Sequence, residues 1–166
     1  MAEIIKKQDT RREFIRVLNR LAEKDPKIIV IICDVGFNYL GDPENKFKVL
    51  NLGVTEQSSV IIASALALSG FKPYIYSMIN FVTMRPYEMV RNAVCLHNAN
   101  VKIIGVKGSD KYKFLGFSHN LIAEREDIDV LKNLPNLKSF IVEKPEDVER
   151  VILETYQTNG PCYIRL

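Results

Sequence analysis

The sequence predicts an α/β fold: a three-layer sandwich in which helices cover both faces of a mostly parallel, doubly wound sheet. Helix-like and strand-like segments alternate along the whole chain of 166 residues, which is typical of parallel strands joined by crossover helices. Residues 27–33 form a continuous, mostly β-branched run, as expected for a strand that is buried on both faces. We therefore predict a single domain over residues 1–166.

The first half of the chain is predicted to contain two helices and three strands. Residues 10–24 carry apolar side chains at the i, i+3, i+4 and i+7 positions of an amphipathic helix that stops before Pro26. A second helix begins near Glu56 and ends near Ser69 and Gly70. The strands are predicted at residues 27–33, 47–50 and 72–77.

The second half continues the alternation. Helices are predicted at residues 81–98, 121–134 and 145–158, and strands at 101–106, 137–142 and 161–165. Pro145 suits the first turn of its helix, where a missing N–H group has no partner to lose. Residues 107–120 show no clean period, so we expect a long loop there, and loops of this length are usually functional.

Composition excludes several classes of protein. The formal net charge is +3, with basic residues scattered along the chain, which argues against nucleic-acid binding. No apolar run approaches the roughly 20 residues of a membrane span, and the first residues do not resemble a signal peptide. Cys33, Cys95 and Cys162 lie far apart in apolar segments and are expected to be reduced core residues. We expect a cytoplasmic protein that holds no metal ion by itself.

Ligands of open α/β sheets bind beyond the carboxyl ends of the strands. The segments that leave those ends here are residues 34–38, 53–56, 77–84 and 107–119. Glu56 falls on the first turn of its helix, where free N–H groups and the helix dipole favour a carboxylate. The same placement also fits a glutamate that only complements the dipole. Phosphate-binding glycine loops, a nucleophile elbow and metal-ligand spacing are missing from the sequence, which argues against a self-contained kinase, hydrolase or dehydrogenase.

Five short motifs point to a family: residues 53–57, 79–84, 115–119, 134–136 and 160–165. In this order and at these intervals they resemble the pyrimidine-binding domain of transketolase, and the resemblance covers residues 28–165. Related 1-deoxyxylulose-5-phosphate synthases and 2-oxo acid dehydrogenase β subunits share parts of the pattern. The resemblance implies the thiamine diphosphate-binding fold in its pyrimidine-domain form.

The resemblance also implies thiamine diphosphate as cofactor and Glu56 as a catalytic residue. A glutamate at this position hydrogen-bonds the N1′ atom of the aminopyrimidine, so that the exocyclic nitrogen can act as a base toward the thiazolium. Phe81 matches an aromatic position that stacks on the pyrimidine, while Met78 and Met84 replace two further aromatics. Thioethers also pack well against aromatic edges, although ordinary core packing is an alternative for all three side chains.

The remaining site residues follow from the same resemblance. Asp34 is expected at the cofactor, and Asn38 and His119 at the thiazolium or the substrate, with His119 also catalytic. An ordinary loop histidine is the alternative for His119. Lys107 lies near a position where transketolases have a histidine and could meet a substrate carboxylate or phosphate. Leu115 stands where they have an acidic residue, so the substrate can differ from a simple sugar phosphate.

The chain lacks the Gly-Asp-Gly…Asn signature that holds Mg²⁺ and the diphosphate. The resemblance therefore implies a split enzyme with a separate diphosphate-binding subunit, an α2β2 assembly, and the Glu56 and Phe81 helices at subunit interfaces. The expected reaction is transfer of a two-carbon ketol unit between sugar-type substrates. The alternatives are a component of a 2-oxo acid decarboxylase or dehydrogenase, a 1-deoxyxylulose-5-phosphate synthase-like enzyme, or a non-catalytic binding module of the same fold.

Overall fold

The structure is a computed structural model. It describes residues 9–108 and 110–166, and the side chains of all of these except residues 110–112. The segment 1–8, on which the expectation about signal peptides rests, lies outside the described residues.

Six strands form one sheet, and every strand pair in it is parallel. The strands are β1 Ile28–Ile32, β2 Lys48–Asn51, β3 Lys72–Met78, β4 Lys102–Val106, β5 Lys138–Ile141 and β6 Cys162–Arg165. Their spatial order is β2-β1-β3-β4-β6-β5. The predicted α/β class is therefore confirmed, and the sheet is parallel throughout.

Helices cover both faces of the sheet. They are α1 Thr10–Ala22, α2 Phe37–Leu40, α3 Glu56–Leu68, α4 Ile79–Thr83, α5 Tyr87–Met89, α6 Glu126–Leu131 and α7 Pro145–Gln157. Because successive side chains of a strand point to opposite faces, the sheet separates two cores. On one face, Val30 and Tyr74 pack with Phe14 of α1 and Val148 of α7. On the other face, the core is formed with α3, α4, α6 and the segment after α5.

The predicted helix over residues 81–98 is wrong in one respect, because it is interrupted. Helix α4 ends at Thr83, and a break at Met84 and Arg85 precedes α5. A π-helical turn, Val90–Cys95, follows α5 directly. The break has a local cause: Pro86 has no N–H group to donate to the preceding turn, and its ring clashes with that turn. As a result, Arg85 emerges at the carboxyl edge of the sheet.

The segment after β4 also differs from the prediction. Asp110–Ser118 forms 3₁₀-helical turns with a kink at Gly116, whose φ is 64°, where an irregular loop was expected. The helix predicted at residues 121–134 is limited to α6. All three cysteines are buried with free thiols, as predicted. Across the described residues, the helices are too short or too polar to cross a bilayer.

Candidate functional site

The candidate residues lie where the chain leaves the carboxyl ends of β1 to β4. Asp34 follows β1 with a φ of 64°, a left-handed conformation that aspartate tolerates better than most residues. Its N–H group donates to Asn51 Oδ1 at 3.2 Å, and Asn51 Nδ2 donates back to Asp34 Oδ1 at 3.1 Å. The two strand ends, β1 and β2, are thereby fastened side by side.

Glu56 is the first residue of α3. The turn before it uses Gly53, whose φ of 67° suits glycine, and the Thr55 hydroxyl, which donates to the Leu52 carbonyl oxygen at 2.9 Å. The Glu56 residue is only 4% exposed, yet it lines an open cleft of about 380 Å³ with residues 54–58 and Arg85. The carboxylate is therefore shielded from bulk water while remaining open to a ligand.

Arg85 contacts both Glu56 and Phe81, the two residues that match the family pattern at the cofactor. Its Nη1 donates to Glu56 Oε1 at 3.1 Å, and its guanidinium carbon lies 3.7 Å from the centroid of the Phe81 ring. Gln57 Nε2 donates to the main-chain oxygen of Arg85 at 3.4 Å. One guanidinium thus makes an ion pair with the carboxylate and a cation–π contact with the ring.

Phe81 connects this arrangement to His119. The His119 ring meets the Phe81 ring edge to face, with 5.0 Å between the centroids. His119 Nδ1 lies 2.7 Å from the Ser118 hydroxyl oxygen. Glu56, Arg85, Phe81 and His119 therefore form a continuous chain of contacts along the carboxyl edge of the sheet.

A second cleft, of about 360 Å³, lies on the His119 side of Phe81. It brings together six of the predicted site residues: Asp34, Asn38, Met78, Phe81, Lys107 and His119. Met84, in contrast, caps the end of α4 and is not among the residues that line this cleft or the Glu56 cleft.

A third cleft, of about 540 Å³, is lined by Lys107 and by residues 116–117 and 119–124, which follow it in the chain. Lys107 Nζ donates to both carboxylate oxygens of Glu124, at 2.8 and 2.7 Å. This pairing holds the pKa of Glu124 below its usual range. Both side chains are exposed to solvent, so an anionic ligand could compete with Glu124 for Lys107.

Three residues contribute to this edge although the sequence pattern assigned them no role. Arg11, at the start of α1, lines the second cleft, and its Nη2 donates to the Lys107 carbonyl oxygen at 3.4 Å. Asn80 Nδ2 donates to the carbonyl oxygens of Phe117 and Asn120, at 2.9 and 3.1 Å, and so anchors the 3₁₀ segment. The third is Arg85. Its neighbour Pro86 was the available signal, because a proline inside a helical pattern marks a break.

A buried polar network supports the same edge from β6. Asp127 is fully buried and accepts hydrogen bonds from Tyr163 Oη at 2.6 Å and Arg165 Nη1 at 3.0 Å. Arg165 Nη1 also donates to the Glu124 carbonyl oxygen at 2.7 Å. Burial raises the pKa of Tyr163 well above its usual range, so the phenol remains a donor. This network fixes the position from which Glu124 reaches Lys107.

The family profile described as the pyrimidine binding domain of transketolase matches residues 6–166. The chain belongs to this family. The resemblance noted in the sequence is thereby confirmed, and the sheet with its two helical layers is the fold of a transketolase pyrimidine-binding domain.

Similar proteins cover most of this pyrimidine-binding domain. One subunit of an apulose-4-phosphate transketolase from Phocaeicola vulgatus is 29% identical over 159 residues, which are 94% of this chain and 50% of the relative. A 1-deoxy-D-xylulose-5-phosphate synthase from Desulfitobacterium hafniense is 32% identical over 162 residues, 92% of this chain and 24% of the relative. A solved structure described as a split gene transketolase, an inactive beta4 tetramer, is 28% identical with a TM-score of 0.78, and the match covers 95% of this chain and 50% of that chain.

The chain spans about half the length, or less, of the curated relatives it matches. They include an apulose-4-phosphate transketolase subunit and a 1-deoxy-D-xylulose-5-phosphate synthase. The roles of Glu56, His119 and the other site residues remain predictions.

Proposed function

We propose that the chain is the pyrimidine-domain subunit of a heteromeric, thiamine diphosphate-dependent transketolase-like enzyme that transfers a two-carbon ketol unit between sugar-type substrates. One observation carries this proposal. In a transketolase pyrimidine-binding domain, the Glu56 carboxylate is almost fully buried, yet it lines an open cleft at the carboxyl edge of the sheet. A glutamate that only complemented a helix dipole would be stabilised equally well at the surface.

The residues present fit an aminopyrimidine ring. Such a ring needs a group that shares a proton with its ring nitrogen and a flat apolar surface for its face. Glu56 and Phe81 offer these two groups at one point, since the guanidinium of Arg85 contacts both. When bound, thiamine diphosphate would supply the electron sink for breaking and forming a carbon–carbon bond next to a carbonyl group.

Glu56 would hold a proton at the ring nitrogen. Its burial strengthens that contact, because the effective dielectric constant is lower in a shielded cleft than in water. General acid–base assistance of this type is commonly worth about 10² to 10⁴ in rate. Phe81 would form the apolar wall of the ring site. Met78 and Asp34 would contact the cofactor from the second cleft, whereas Met84 lines neither cleft and has no role in this proposal.

The second cleft would hold the substrate. His119 would exchange a proton with a substrate hydroxyl, and Asn38 would donate or accept a hydrogen bond beside it. Lys107 would attract a phosphate or carboxylate group of the substrate in competition with Glu124. This competition tunes the affinity for anionic substrates, because the ligand must displace a carboxylate to reach the ammonium group.

The assembly we propose is α2β2, with Mg²⁺ and the diphosphate held by the partner subunit. The Phocaeicola vulgatus relative is named as one subunit of its transketolase, which supports a split enzyme. Exposed aliphatic side chains on α3, namely Ile61, Ile62 and Leu68, support an interface on that helix, since contiguous exposed apolar patches are typical of interaction sites. We further propose that residues 1–166 act as a single domain and that the protein is cytoplasmic, as its free buried cysteines suggest.

A synthase-like reaction is the second candidate, because the Desulfitobacterium hafniense synthase is 32% identical to the chain. The substrate profile separates the two. Release of CO2 from a 2-oxo acid would indicate the synthase or a 2-oxo acid decarboxylase, whereas two-carbon transfer between sugars without CO2 would indicate a transketolase.

The test is co-expression of the chain with a diphosphate-binding subunit encoded next to it, followed by assays of cofactor binding and ketol transfer. We expect Glu56→Ala to reduce the rate by about 10² to 10⁴. Glu146→Ala is the matched control, because Glu146 is a first-turn glutamate of α7 that is exposed. Wild-type turnover by the Glu56→Ala complex would refute the assignment of this residue.

A further inference from the structure

The guanidinium of Arg85 makes the two contacts that the proposed site offers to an aminopyrimidine ring. It donates to the Glu56 carboxylate at 3.1 Å, and it lies 3.7 Å above the Phe81 ring centroid. A guanidinium is planar, carries N–H donors in its plane and stacks on aromatic faces. An aminopyrimidine presents the same combination of a flat face and in-plane nitrogen groups. The two groups therefore cannot occupy this place together.

Arg85 can also move its side chain away from Glu56 and Phe81. Its side chain is 42% exposed, so the guanidinium can rotate into solvent without opening the core. Its main chain stays in place, because the Arg85 N–H donates to the Asn80 carbonyl oxygen at 3.1 Å and its carbonyl oxygen accepts from Gln57. The main chain at the break between α4 and α5 is therefore held in place, and only the Arg85 side chain needs to move.

We propose that Arg85 is a built-in competitor for the aminopyrimidine subsite, which occupies that subsite in the free chain and must vacate it before the ring binds. This inference rests on the proposed function, because it needs Glu56 and Phe81 to form the ring site. Its consequence is that the free chain binds the ring more weakly than its contacts allow. The apparent dissociation constant equals the intrinsic constant divided by the fraction of molecules in which the subsite is open.

The competition depends on the shape of arginine as well as on its charge. Lysine carries the same charge, but its ammonium group is compact and lacks the planar fork that can pair with a carboxylate and stack on a ring at once. Arg85→Lys should therefore relieve part of the competition and Arg85→Ala all of it. If charge repulsion alone disfavoured the ligand, Arg85→Lys would behave as the wild type does.

The experiment titrates the full chain, without a partner subunit, with 4-amino-5-hydroxymethyl-2-methylpyrimidine, a neutral fragment that needs no diphosphate site. Binding is followed by NMR chemical shifts. We expect Arg85→Ala to bind the fragment about three- to tenfold more tightly than the wild type, because the closed fraction is removed. Arg91→Ala is the matched control, since Arg91 is an exposed arginine of the same segment that donates to Asn92, and it should leave the affinity unchanged.

A second readout follows the arginine itself. In the wild type, the Nε–H resonance of Arg85 should shift as the fragment binds, while that of Arg91 should not. This readout keeps the proposal testable even if Arg85→Ala destabilises the chain, because it needs no substitution. Equal affinities of wild type and Arg85→Ala, or an Arg85 resonance that stays constant while the fragment binds, would overturn the proposal.

One further variant separates this proposal from the proposed function. Glu56→Gln is introduced into the Arg85→Ala chain, where the competitor is already gone. Weaker fragment binding by the double variant would support the ring site and leave the test of Arg85 intact. Unchanged binding would show that Glu56 does not contact the ring, in which case the proposed function fails along with the proposal.

Discussion

Two buried charged side chains stand at opposite ends of the sheet, and their surroundings differ. Lys102 begins β4 at the amino end and is 2% exposed, while Glu56 lies at the carboxyl edge and is 4% exposed. Lys102 Nζ donates to Asn100 Oδ1 at 2.6 Å, the Gly160 carbonyl oxygen at 2.8 Å and the Thr158 carbonyl oxygen at 2.9 Å. These three oxygen acceptors match the three donors of an ammonium group, and Cys162 Sγ is a longer fourth contact at 3.8 Å.

The Glu56 carboxylate is paired instead with Arg85, whose side chain is 42% exposed. Burial is similar at the two ends, so burial alone does not separate a structural charge from a functional one. The difference lies in the partners. A charge enclosed by fixed acceptors has a structural role, whereas a charge held by one exposed partner beside a cleft is available to a ligand.

The largest expected effect tests this distinction at Asp127. This residue lies near the carboxyl edge as Glu56 does, but its partners Tyr163 and Arg165 are buried and fixed. Asp127→Ala would remove the only fully buried carboxylate that contacts Arg165 in the described part of the chain, leaving Glu124 as its remaining partner, and we expect a loss of about 3 to 5 kcal/mol in the free energy of unfolding. Chemical denaturation measures it. Asp129→Ala, on the exposed side of α6, is the control, and a similar small loss for both variants would contradict the prediction.

A smaller loss in the free energy of unfolding is expected for Lys102, at the amino end of the sheet. Lys102→Met keeps the approximate length and volume of the side chain but leaves the carbonyl oxygens of Thr158 and Gly160 without their donor. Each unsatisfied buried group is unfavourable, and we expect a loss of about 2 to 3 kcal/mol in the free energy of unfolding. Lys138→Met, at an exposed position of β5, provides the control. A Lys102→Met chain more stable than the wild type would show that the lysine network is not net stabilising.

The same residue predicts a pH dependence. Burial lowers the pKa of Lys102 from 10.5 to about 8, so the folded state binds this proton less tightly than the unfolded state does. The contribution of Lys102 is therefore largest above pH 10.5 and is lost as the pH falls through about 8. Across this interval, the stability of the wild type relative to Lys102→Met should rise with pH by about 3 kcal/mol. A constant difference across this range would be inconsistent with the lowered pKa.

The smallest expected change in stability is at Glu56. Glu56→Gln retains an oxygen that can accept from Arg85 and removes a charge whose partner is exposed, so the free energy of unfolding should change by less than about 1 kcal/mol. Thermal unfolding compared with Lys102→Met gives the contrast directly. A loss at Glu56 as large as that at Lys102 would mean that the carboxylate is a structural charge after all.

Much of the fold could be predicted because its signals are local. The run at residues 27–33 identified strand β1, and the amphipathic stripe at residues 10–24 identified α1. The break after α4 was missed because apolar spacing continued across Pro86. The 3₁₀ segment after β4 was missed because its conformation depends on Asn80, which lies 37 positions before Phe117 in the chain and holds its carbonyl group.

The candidate site also has a part that could be predicted from local patterns and a part that could not. By itself, the sequence determined the order of the strands and helices, the family, and the group of residues at the strand ends, since each depends on local patterning or on motif order. Only the tertiary structure decided that Glu56 is buried beside a cleft, that Arg85 lies between it and Phe81, and that Lys107 is paired with Glu124. The two ion pairs join side chains 29 and 17 positions apart, and which of many possible partners a charged side chain meets is fixed by packing, which no local pattern encodes.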